Sequence, residues 1–135
     1  MSIISKLKAK EVLDSRGNPT VFVSCTLHSG VCATASVPSG VSTGKNEAYE
    51  LRDGDMARFD GEGVLQAVEN INKEIFTFLL DKELDQKTLD ESLIKLDGTK
   101  NKTWLGANAI LAVALAFARV SAKEKGIQLY IHIAN

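Results

Sequence analysis

The segment Ala107 to Lys125 constrains this chain more than any other. It reads ANAILAVALAFARVSAKEK, apolar almost all round and rich in alanine. A helix with no polar face must be enclosed by other elements, and alanine lets those neighbours come close. The rest of the chain therefore has to wrap around this rod. Its apolar run, near 107 to 118, is shorter than the roughly 20 residues that span a bilayer, so it reads as core. Lys123 and Lys125 suit the last turn, and Gly126 ends it.

What wraps it is legible in order. Ile3 to Leu13 alternates loosely between apolar and polar residues, as a half-buried strand does. Asp14 to Pro19 has turn composition. Thr20 to His28 is rich in threonine, valine and phenylalanine and reads as a second strand, with Val31 to Val37 as a third. Short connections favour an antiparallel meander. Asp53 to Gly61 is polar and turn-like. Val64, Leu65, Val68, Ile71, Ile75, Phe78 and Leu79 then repeat at helical spacing. A further helix starts near Gln86 behind Asp85 as N-cap, buries Leu89, Leu93 and Leu96, and stops at Gly98. The expected fold class is α+β: a three-stranded antiparallel β-meander followed by three to four helices, with residues 1–135 as one domain. The tail from Ile127 to Asn135 is apolar and calls for a cover.

Composition excludes some functions. The 135 residues carry a formal net charge of −1, and the basic residues are not expected to cluster into a patch. Neither nucleic acid nor an anionic membrane is an expected partner. The first six residues lack the apolar core of a signal peptide, so the expected location is cytoplasmic. The two cysteines, Cys25 and Cys32, flank a turn at Ser29-Gly30. Pairing His28 with Val31 would set Cys32 opposite Leu27 and diagonal to Cys25, a poor geometry for a disulfide.

The longest irregular stretch runs from Ser36 to Asp55 and contains Ser39, Gly40, Val41, Ser42, Thr43 and Gly44. Its hydroxyls and free backbone groups suit a hard cation or a phosphate. A P-loop does not fit, because the spacing is one residue short and Asn46 stands where Ser or Thr is required.

Three segments together resemble the enolase family, in its bacterial type. They are PSGVSTG with EAYELRDGD, then DSRGNPTV at Asp14 to Val21, then LDGT at Leu96 to Thr99 with GANAIL at Gly106 to Leu111. They span nearly the whole chain in family order, and cover the family's N-terminal domain. The catalytic barrel that follows it in enolases is not among these residues, so the expectation is a domain that is inactive alone.

The resemblance implies more than the residues do. Enolases dehydrate 2-phosphoglycerate to phosphoenolpyruvate with two Mg²⁺ ions that stabilise the intermediate. It makes Ser39, Gly40, Val41, Ser42, Thr43 and Gly44 a mobile lid, with Ser42 ligating the second Mg²⁺ on closure. Alanine is usual where this chain has Val41. The general base, general acid and tight metal site belong to the barrel. Asp14, Glu47, Glu50, Asp53, Asp55 and Asp60 are therefore expected to be structural or solvated, with Glu47 or Glu50 pairing Arg52, and His28 and His132 are not catalytic. Arg16 would pair with a partner subunit's carboxylate in a homodimer or higher oligomer. Phe22 stands where the family often has a glutamate that makes a second ion pair. The same resemblance adds the cell surface as a second location. The alternative is a non-catalytic dimerisation or partner-binding module, carried by Arg16, Phe22 and the apolar tail.

Overall fold

A computed structural model describes residues 2–37, 50–99 and 104–134. Among them, four strands form one antiparallel sheet of order β3-β2-β1-β4. β1 (Ser2–Leu13) pairs along most of its length with β2 (Pro19–Leu27), and β2 pairs with β3 (Cys32–Ser36). These are the three strands of the meander. β4 (Glu83–Leu84) adds a fourth that sequence pattern does not reveal. It lies against Ser2 and Ile3. Two residues cannot display an alternation, so periodicity misses it.

The bond from β1 to β2 turns on Asp14. Its side chain accepts from the backbone N–H of Arg16 at 2.8 Å and of Asn18 at 2.9 Å. This is an Asx-type turn, the reason aspartate suits the position. Beyond β4, the first strand has no strand neighbour on that side among the described residues. Asn72 substitutes for one: its carboxamide accepts from the Ala9 N–H at 2.7 Å and donates to the Ala9 carbonyl at 3.1 Å.

Asn72 sits in a helical rod that changes pitch. α1 (Leu65–Asn70), a π-helical turn (Ile71–Ile75) and α2 (Phe76–Leu79) follow without a break in right-handed conformation. The rod buries Ala67, Ile71, Ile75 and Leu79 fully. Leu65, one of the residues at helical spacing, is instead 47% exposed, because it is the first residue of the rod and faces outward.

α3 (Gln86–Asp97) begins at a capping box in which Asp85 accepts from the Thr88 N–H at 2.8 Å and the Thr88 hydroxyl accepts from the Asp85 N–H at 3.0 Å. It ends at Gly98, whose φ of 70° is left-handed. Leu89 and Leu93 are fully buried, each worth about 2 kcal/mol of removed apolar surface.

α4 (Ala107–Lys125) is the central rod. Ala109, Ala112, Val113, Ala116, Phe117 and Val120 are buried against the inner face of the sheet, where Leu7, Val21, Val23 and Cys25 are buried too. Its polar side reaches the open edge of β3. Arg119 donates to the Thr34 carbonyl at 3.0 Å and Lys123 to the Cys32 carbonyl at 2.9 Å. Those bonds occupy carbonyls that would otherwise offer an edge to another strand. α5 (Leu129–Ala134) closes the described chain and contains no buried residue. Tyr130 is 70% exposed and Ile133 65%.

The cysteines differ from their expected placement. Cys32 lies opposite Thr26, not Leu27, and Cys25 lies opposite Ala33. The turn is one residue longer, with Leu27 N–H bonded to the Val31 carbonyl at 2.9 Å and His28, Ser29 and Gly30 between them. The two thiols therefore point to opposite faces of the sheet and both are free.

Candidate functional site

Residues 38–49 lie outside the described residues, and with them Ser39, Gly40, Val41, Ser42, Thr43, Gly44 and Glu47. What is described is how both stems of that segment are held. At the first stem the buried Thr20 hydroxyl donates to the Val37 carbonyl, and the Val37 N–H reaches the Val21 carbonyl at 3.3 Å. At the second stem Arg52 donates through Nη1 to the Pro19 carbonyl at 2.6 Å and to the Glu62 carbonyl at 2.8 Å. Both stems thus converge on one dipeptide, Pro19-Thr20, at the start of β2.

The second stem has another anchor. The buried Asn108 accepts from the Leu51 N–H at 3.1 Å and donates to the Leu51 carbonyl at 3.2 Å. Gly106 permits this. Its φ is +92°, and a Cβ there would stand 2.6 Å from Leu51 Cβ. The GANAIL sequence therefore does local work: the glycine clears space for the stem and the asparagine binds it.

The carboxylates hold structure. Glu50 pairs with Arg52 at 3.1 Å. Asp53 caps α1, accepting from the Leu65 N–H at 2.8 Å and the Gln66 N–H at 2.9 Å. Glu11 accepts from Arg58 at 2.5 Å and from the Val64 N–H at 2.8 Å. Asp55 accepts from the Ala57 N–H at 3.0 Å. Gly63 lets this cluster close, because a Cβ there would stand 2.8 Å from both Arg58 and Asp53. Asp60 is exposed, in a turn where Phe59 and Asp60 both have left-handed φ.

The LDGT sequence ends α3. Asp97 is 4% exposed. It accepts from the Leu105 N–H at 2.7 Å, from the Thr99 N–H at 2.9 Å, and from the Thr99 hydroxyl. Burial alone would raise its pKa, but these hydrogen bonds outweigh burial and hold the carboxyl below its usual range. It pins the chain that leads into α4.

One feature escaped the linear reading. Lys6, Lys8 and Lys10 alternate with Leu7 and Ala9, so all three stand on the outer face of β1. The register sets them beside Thr26, Ser24 and Phe22 in turn, and those beside Cys32, Thr34 and Ser36. These nine outward positions include no carboxylate. The basic residues do form a patch, and the period-two spacing of the lysines is the signal that reveals it. Phe22, an expected interface residue, lies in it half-buried, with Lys10 Nζ 5.1 Å from its ring centre. Arg16, the other, is exposed in the turn beyond.

Cys32 feels this patch. Its thiol is lowered from the usual value by hydrogen bonds from Ser24 and Thr26 and by the charges of Lys123 and Lys6. Cys25, on the inner face, is pushed up to about 12 by burial. His28 is exposed and meets Asp81 at 2.8 Å, and His132 is half-buried in α5 near Lys125 at 3.4 Å.

Among the described residues, no three of His, Cys, Asp and Glu are grouped to hold a metal ion. No described helix is long and apolar enough to cross a membrane. The glycine-dependent contact at Gly106, the doubly anchored stem and the pinned end of α3 fall on segments that carry the family resemblance. A comparison with family models matches residues 4–133 to the enolase N-terminal domain. The chain belongs to the enolase family, as its N-terminal domain.

Proposed function

We propose that this domain serves an enolase that dehydrates 2-phosphoglycerate to phosphoenolpyruvate, and that its contribution is the 38–49 loop. The observation that carries the reading is the convergence of both loop stems on Pro19-Thr20. A segment that closes over a substrate needs fixed ends, so that the movement is confined between them. Val37 and Leu51 are such ends.

In this reading Ser42 presents its hydroxyl to Mg²⁺ when the loop closes. Mg²⁺, when bound, supplies the positive charge that stabilises the intermediate. Ser39, Gly40, Val41, Thr43 and Gly44 move with Ser42 and exclude water. The proton-transfer groups and the tight metal site belong to a barrel beyond these residues, so the domain alone does not turn over. Arg16 and Phe22 contribute subunit contacts in a homodimer or higher oligomer, and the enzyme acts in the cytoplasm.

The test is dehydration of 2-phosphoglycerate with Mg²⁺, by this chain alone and then with a separately supplied enolase barrel. No turnover alone and recovery on mixing supports the reading, with Ser42→Ala abolishing the recovery. Turnover by the chain alone would overturn the assignment of the chemistry to the barrel.

A further inference from the structure

We propose that Thr20 and Arg52 are positioning residues for the dehydration, fastening both ends of the 38–49 segment to one dipeptide so that the two ends hold a single setting. The inference rests on the proposed function and names the side chains that align the loop's ends for that reaction.

The first end depends on a hydroxyl. Thr20 is 6% exposed, and its Oγ1 donates to the Val37 carbonyl. β3 has already ended at Ser36, so this bond and the one from the Val37 N–H to the Val21 carbonyl prolong its attachment to β2. Valine has nearly the shape of threonine but no donor, so Thr20→Val cuts the hydroxyl bond selectively.

The second end depends on a guanidinium. The Arg52 side chain is 15% exposed. Its Nη1 donates to the carbonyls of Pro19 and Glu62, and the carboxylates of Glu50 and Glu62 lie 3.1 Å from Nη2 and 3.5 Å from Nε. One planar group thus joins the stem to the start of β2 and to the segment that leads into α1. Lysine keeps the charge but has a single nitrogen, which cannot occupy these positions together.

The two anchors meet across one peptide bond. The Pro19 carbonyl that accepts from Arg52 belongs to the planar unit that ends at the Thr20 nitrogen. Pairing of Pro19 with Leu13 and of Thr20 with Val12 holds this unit in the sheet. A shift at either end is therefore passed to the other through a rigid peptide. An alignment needed in the transition state, and not for first binding, shows in kcat more than in KM.

The experiment has two arms. In the first, native-state amide exchange is followed in this chain by NMR. Thr20→Val should speed exchange several-fold at Val37 and also at Leu51 and Asp53 across the loop, and Arg52→Lys should do the same in reverse. Thr20→Ser keeps the hydroxyl and should restore the wild-type rates. A rise confined to the mutated stem, or an equal rise throughout α4, overturns the inference. In the second arm the chain is mixed with a separately supplied enolase barrel. Thr20→Val should lower kcat about tenfold with KM nearly unchanged, as misplaced groups do, and Thr20→Ser should recover most of it. Gly30→Ala, a destabilising change in a distant turn, should leave kcat alone. If Ser42→Ala abolishes turnover while Thr20→Val and Arg52→Lys leave kcat at the wild-type value, the inference fails and the proposed function stands. If Ser42→Ala has no effect, the proposed function fails instead, and the exchange arm still decides whether the two ends are coupled.

Discussion

Asn108 holds Leu51 by both of its backbone groups, at 3.1 Å and 3.2 Å, from the first turn of the central helix. A carboxamide carries an acceptor oxygen and a donor nitrogen side by side, so it can accept from the N–H and donate to the carbonyl of one residue. The pair therefore imitates a strand neighbour for a residue that has none among the described residues. Asn108→Ala leaves the two backbone groups of Leu51 without this partner. The expected loss is about 2 kcal/mol, since buried polar groups left unpaired cost roughly 1–3 kcal/mol each. Asn108→Asp keeps the acceptor but turns a buried carboxylate oxygen toward the Leu51 carbonyl, and should cost at least as much. Urea midpoints at constant slope measure both. A loss below about 0.5 kcal/mol for Asn108→Ala would mean that water replaces the carboxamide.

Gly106 and Gly30 make a matched pair for a second measurement. Both have φ of +92°. A Cβ at Gly30 meets nothing within 4 Å, whereas at Gly106 it meets Leu51 Cβ at 2.6 Å and Asn108 Oδ1 at 2.7 Å. Gly30→Ala should cost about 1 kcal/mol, the strain of a left-handed alanine. Gly106→Ala adds a collision to a backbone with φ +92° and ψ 133°, which side chains rarely adopt, and should cost at least about 2 kcal/mol more. Equal losses by thermal denaturation would show that Leu51 moves aside, and would remove the steric account of this glycine.

How far the fold could be read ahead follows from these contacts. The three meander strands, the α3 caps at Asp85 and Gly98 and the whole of α4 were legible, because alternation, capping and an all-round apolar surface are local signals. β4 was not, because two residues carry no period. The π turn was not, because Ile71 and Ile75 satisfy a helical spacing whether the pitch is α or π. The contacts that hold the two stems were not legible. No local signal says that Asn108 binds Leu51 or that Arg52 reaches Pro19, since each joins positions far apart in the chain. The lysine row was visible as a spacing, but its meaning waited on the register that adds Phe22 and Ser24 to it.

The two thiols should react very differently. Cys32 stands on the open face with its pKa lowered, while Cys25 is fully buried and pushed up to about 12. The thiolate is the reactive form. A chromogenic disulfide reagent at pH 7.5 should therefore label one thiol quickly, with the second released only on unfolding. Cys32→Ser should remove the fast phase and Cys25→Ser should leave it. A fast phase that survives Cys32→Ser refutes this ordering.

Asp97 gives the stability a definite dependence on acid. Its folded pKa lies below the usual value, because the bonds from Thr99 and Leu105 outweigh burial. The unfolded chain, near pKa 3.9, then takes up the proton first as pH falls. The stabilisation is complete above that value and is lost as pH drops through it toward the folded value. Asp97→Asn should cost about 2 kcal/mol at pH 7, since an amide turns a donor toward groups that also donate. The gap between wild type and variant should narrow steadily below about pH 4, because the wild-type carboxyl becomes neutral too. Asp85, lowered by its bonds from Thr88, acts in the same direction and should leave the variant a smaller acid limb of its own. Urea midpoints from pH 7 to pH 3 decide it. A gap that stays constant over that range would mean that the charge of Asp97 contributes nothing and that only its shape holds Leu105.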